Sequence, residues 1–117
     1  MTPETERRLR DALEAALLIE QNCRFQTLEG YLDDLWFRSA AERNLEIIGE
    51  AFNQARRQDP ELAGLLPEIR GWIGLRNVLS HAYDDIRVQV TWDTIQQEIP
   101  VLIDTLRSLL RAQLSNE

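Results

Sequence analysis

The sequence predicts an all-α protein, a four-helix up-and-down bundle with one extra short helix. Apolar residues recur three and four positions apart along most of the 117 residues, the spacing that gathers them on one face of a helix. No stretch alternates apolar and polar residues as a half-buried strand would. The connections between helical stretches are short, which favours antiparallel neighbours around one core.

The first helix opens with Thr2 as N-cap and Pro3 at the first helical position, then runs to about Arg24. Leu9, Ala12, Leu13, Ala16, Leu17, Ile19 and Cys23 form its apolar face. Thr27 caps a short turn through Gly30. A long second helix follows, from Asp33 or Asp34 to Arg57, with acidic residues at its positive end. Its expected apolar stripe is Leu35, Trp36, Ala40, Ile47, Ile48, Ala51, Phe52 and Ala55. Arg43 and Glu50 interrupt that stripe, either as a buried or half-buried ion pair or with one or both pointing into a cleft shared with Arg76, and Glu46 is a competing partner for Arg43.

Residues 58–66 form the main loop, with Asp59-Pro60 and Gly64 as its breakers. Pro67 restarts a helix whose inward face holds Ile69, Trp72, Ile73 and Leu79, ending near Ser80 or His81. Tyr83-Asp84-Asp85 reads as a turn. The last helix spans about Val88 to Leu114, and Pro100 should kink or split it, lacking an N–H and crowding the turn before it. The whole chain, 1–117, reads as one domain.

Composition narrows the function. The chain is 44% hydrophobic and 28% charged, with no signal-peptide pattern and no span long enough for a membrane, so a cytoplasmic protein is expected. All 13 basic residues are arginine, which excludes lysine Schiff bases and a Walker-type phosphate lysine. One histidine and one cysteine cannot build a His- or Cys-rich metal site in a single chain, and no cofactor is expected. The net charge of −7 argues against a broad nucleic-acid surface. A contact with RNA would have to be small and local.

One octet concentrates the remaining chemistry: Arg76-Asn77-Val78-Leu79-Ser80-His81-Ala82-Tyr83. Arginine grips phosphate with a fixed fork of donors, and histidine moves protons near neutral pH. RNA carries its own nucleophile, the 2′-hydroxyl. Cleaving it without a metal therefore needs a base, an acid and a cation for the phosphorane charge. His81 supplies proton transfer and Arg76 the charge. One histidine serves poorly as both base and acid, so a symmetric dimer, with two copies of each residue around one cleft, would complete the set. The same residues also have plainer roles: a helix-end histidine answers the macrodipole, and an arginine on an apolar face anchors an ion pair.

Arg76-Asn77, His81 and Tyr83 together resemble the R-x4-H-x-Y signature of HepT-type proteins in the HEPN superfamily. The stretch from Ala41 to Ala51 is similar to that family's second-helix motif, and Trp72-Ile73-Gly74-Leu75 to its lead-in to the catalytic segment. The resemblance runs from the first helix through Pro100. It implies an all-α homodimeric ribonuclease, metal-independent, with Arg76 and His81 as the catalytic pair at the dimer interface. Asn77, Arg43 and Glu50 would support them, and the substrate would be RNA rather than DNA. It further implies the toxin of a type VII-like toxin–antitoxin pair, whose nucleotidyltransferase antitoxin adenylylates Tyr83. The chain departs from the family in following this tyrosine with Asp84 and Asp85 instead of an apolar residue. The acidic balance also suits another reading, a non-catalytic helical subunit of a nucleotidyltransferase.

Overall fold

The computed structural model describes residues 1–80 and 85–115, and within them every regular element is helical. In chain order these are α1 (Pro3–Cys23), α2 (Leu28–Asp33), α3 (Leu35–Gln58), α4 (Leu62–Leu65), α5 (Ile69–Ser80) and α6 (Asp85–Asp93). A π-helical turn, Thr94–Glu98, then joins α6 to α7 (Ile99–Ser115).

The helix starts follow from short polar side chains that satisfy exposed amides. Thr2 Oγ1 accepts the Thr5 N–H at 3.1 Å, with Pro3 filling the first turn. Thr27 Oγ1 accepts the Gly30 N–H at 3.0 Å to start α2, and Asp34 Oδ1 accepts the Phe37 N–H at 3.0 Å to start α3. The loop expected over residues 58–66 contains the single turn α4, and α5 begins at Ile69, two residues past Pro67.

Asp85, which the sequence places in a turn, instead opens α6. Pro100 does divide the last helix. It has no N–H to offer one turn back, and the wider turn before it takes up the mismatch, with the Ile99 N–H reaching to the Thr94 carbonyl.

The long helices pack in the order α5–α3–α1–α7. α1 and α3 run antiparallel: Arg8 and Asp11 sit across from Glu50 and Gln54, whereas Leu18 and Asn22 sit across from Trp36 and Ala40. One contiguous core joins Leu9, Ala12, Ala16 and Ile19 of α1 to Leu45, Ile48 and Phe52 of α3 and to Ile99, Ile103 and Leu106 of α7. Its second focus is Tyr31 in α2. That ring lies edge-on to Phe37 at 6.4 Å and against Trp92 at 5.3 Å, and its hydroxyl donates to Thr91 Oγ1 at 3.2 Å. Burial pushes the Tyr31 hydroxyl above its ordinary pKa.

The stripe expected on α3 is corrected at its N-terminal end. Trp36 is 87% exposed, and Leu35 and Ala40 are also exposed, while Ala41 and Leu45 take the buried places. At about 100° per residue, Trp36 lies roughly 140° around the helix from Ala41, away from the core. Among the described residues, no helix is long and apolar enough to cross a membrane.

Candidate active site

α5 turns Ile69, Trp72, Leu75 and Leu79 inward. Arg76 follows Trp72 by one turn but is not buried with it. It lines an open groove of about 310 Å³, together with Arg8 and Asp11 of α1 and Ile47, Glu50 and Gln54 of α3. Of the two outcomes open to an arginine on this face, pairing or opening into a hollow, the groove is the one realised. Among the described residues no carboxylate forms an ion pair with its guanidinium.

Gly49 explains how Arg76 reaches that position. A β-carbon at residue 49 would sit 3.0 Å from the Trp72 carbonyl oxygen and 3.6 Å from Arg76 Cγ. Glycine therefore lets the α5 backbone rest directly on α3, and the aliphatic stem of Arg76 runs past the space a side chain would fill. The guanidinium is carried outward along the groove.

The charges around it nearly cancel. Arg8 and Arg76 face Asp11 and Glu50. Arg8 is engaged by Glu4 at 3.2 Å, and Glu50 by Arg43 at 3.5 Å. Arg43 also reaches Glu46 at 3.3 Å. Arg43 and Glu50 do pair, as expected, but the expected burial is corrected: the side chains are 58% and 46% exposed. Arg43 lies midway in sequence between buried Ala41 and Leu45, and Glu50 midway between Ile48 and Phe52. Two residues turn a helix through about 200°, so both charges face water. Glu50 shares the Arg76 groove, whereas Arg43 stands outside it. Asn77 is exposed on α5 beside Arg76. His81 and Tyr83 lie outside the described residues.

Cys23 is buried at the end of α1, and burial pushes its thiol up to about 11. A thiol so far above neutrality is not a nucleophile, in keeping with the place of Cys23 on the apolar face of the first helix.

Sequence reasoning passed over Glu42 and Arg87, whose side chains are paired and largely shielded between α3 and α6. The flank position of Glu42, one residue after Ala41 and three before Leu45, marked it as half-inward. Nothing local could name a partner 45 residues away.

Residues 12–109 match the family model described as Ribonuclease HepT-like. The protein named "Probable ribonuclease HepT" from Thermococcus cleftensis is 38% identical over 98 residues, covering 80% of this chain and 84% of that relative. A relative from Caldanaerobacter subterraneus subsp. tengcongensis, named as a candidate RNase, is 32% identical over 89 residues, covering 74% of this chain and 77% of its own length. No solved structure gives a significant match.

Proposed function

This chain belongs to the ribonuclease HepT-like family, and on that premise we propose that it is a metal-independent endoribonuclease with Arg76 and His81 as its catalytic pair. The observation that carries the reading is Arg76 itself: a guanidinium held over Gly49 in an open groove, with no carboxylate paired to it among the described residues. Such a group is placed to take a phosphate.

His81 takes the proton from the 2′-hydroxyl, whose oxygen attacks phosphorus. Arg76 holds the charge that builds on the phosphorane oxygens. The bond to the 5′-oxygen breaks, and that oxygen leaves with a proton, so the products are a cyclic phosphate end and a free 5′-hydroxyl. A second proton donor is needed for the leaving oxygen, and His81 of the partner subunit supplies it in a homodimer. Leu18 and Trp36 support that assembly: both stand exposed along the same α1/α3 seam that ends at Arg76, an apolar face for a second copy to cover. Asn77, next to Arg76 on α5, and Glu50, in the Arg76 groove, assist the pair.

The biological role we assign is that of a cytoplasmic toxin restrained by a nucleotidyltransferase antitoxin. Adenylylation of Tyr83 adds bulk and negative charge two residues from His81, which repels an RNA phosphate.

Purified protein should cleave RNA in EDTA. His81→Ala should lose roughly 10²- to 10⁴-fold in rate, and Arg76→Ala about 10²- to 10³-fold. Full activity in either variant, or strict dependence on added divalent metal, would sink the mechanism. Tyr83→Phe should stay toxic in cells while escaping a co-expressed antitoxin, and neutralisation of that variant would remove Tyr83 as the switch.

A further inference from the structure

The Arg76 groove gives α3 one task, carrying α5, but leaves its contact with α6 without a role. Arg87, in the first turn of α6, donates through its guanidinium to Glu42 of α3. The two side chains are only 19% and 12% exposed, and Glu42 Oε1 is buried with no hydrogen-bond partner among the described residues.

As plain glue this is a weak choice, because a buried ion pair gives up much of its attraction to desolvation, and apolar residues of similar size often hold as well. α6 is in any case fastened one turn further on, where Tyr31 bonds Thr91 and packs on Trp92. What the ion pair adds is direction. It ties the start of α6 to one point on α3, with a cost for sliding off it.

That point matters because of where α5 is tied. Glu42 and Gly49 lie two turns apart on the same flank of α3, about 10 Å along its axis. α5 rests on Gly49 and ends at Ser80, and α6 begins at Asp85. Residues 81–84, which include His81, therefore connect two helices that are each referenced to a single rigid helix.

We propose that the Glu42–Arg87 pair is a positioning device for RNA cleavage: it fixes the start of α6 relative to Arg76 and so sets where the chain delivers His81. The proposal rests on Arg76 and His81 being the catalytic pair. Glu42 and Arg87 touch no reacting atom; they act through His81.

The test is single-turnover cleavage of RNA by the full chain, with folding followed by circular dichroism. Glu42→Gln should lower the cleavage rate roughly 10- to 100-fold, the scale of a misplacement of about 1 Å, with little change in RNA affinity. In a His81→Ala background the same substitution should cost nothing further, since its effect passes through the missing imidazole. An unchanged rate in folded Glu42→Gln, or a full additional loss in the double variant, overturns the proposal.

If Glu42→Gln does not fold, Arg87→Lys carries the test. It keeps the charge but gives up the planar fork, so the rate should fall in the same direction, and a wild-type rate there is equally fatal. Tyr31→Phe is the control for general loosening of α6. It should lower the melting temperature and keep the rate, and a loss of rate like that of Glu42→Gln would reduce the pair to ordinary structure. Full activity in His81→Ala would instead overturn the catalytic reading, and this proposal with it.

Discussion

Glu42 and Arg43 are adjacent on α3, and each belongs to an ion pair, but the two pairs live in different solvents. Arg43 meets Glu46 and Glu50 at the surface, with more than half of its side chain in water. Glu42 meets Arg87 between helices, with most of both side chains out of water. One step along a helix turns a side chain by about 100°, enough to carry it from the outer face to the seam with α6. At the surface, water competes for each charge and the pair is nearly free to form or part. In the seam no water replaces a lost partner, so breaking the pair strands a charge.

The sharpest way to break this comparison is Arg87→Ala. It should destabilise the protein by about 3–5 kcal/mol, as expected when one member of a buried pair is removed, read from the midpoint of urea unfolding. A loss as small as that of a surface pair would mean the seam is wetter than it looks. Tyr31→Phe comes next: it removes one buried neutral hydrogen bond to Thr91 and should cost about 1 kcal/mol. This separates the charged tie at the first turn of α6 from the neutral tie one turn later. Arg43→Ala should have the smallest effect, under about 1 kcal/mol, and 1 M salt should erase most of it. A larger or salt-insensitive loss would show Arg43 to be covered in the assembled protein, as a dimer face would cover it.

The fold was legible because helices announce themselves locally. Thr2 and Thr27 are capping side chains that do what their positions imply, and of the two starts open to the second helix, Asp33 and Asp34, Asp34 is the one that caps it. Pro100 marked the break in the last helix for the same reason, though the π-helical turn that absorbs it lies just ahead. The errors share one cause. Trp36 reads as part of an apolar stripe, and Arg43 and Glu50 as interruptions of it, but the phase of α3 puts all three outside the core. Which apolar residues are covered depends on where neighbouring helices lie, and a helix has more apolar surface than one neighbour can cover.

The site divides in the same way. The residue types in Arg76-Asn77, His81 and Tyr83 carried the chemistry and the family resemblance, and the family membership followed from the chain itself. The sequence determined the helices, their caps, the break at Pro100 and the residues able to bind phosphate and move a proton, because all of these depend on bonds and side chains within a few positions of one another. The tertiary structure decided that Arg76 opens into a groove over Gly49, that Glu50 joins it while Arg43 does not, and that Glu42 finds Arg87. Those are contacts between distant parts of the chain, selected by how the helices pack and by what packing removes from water.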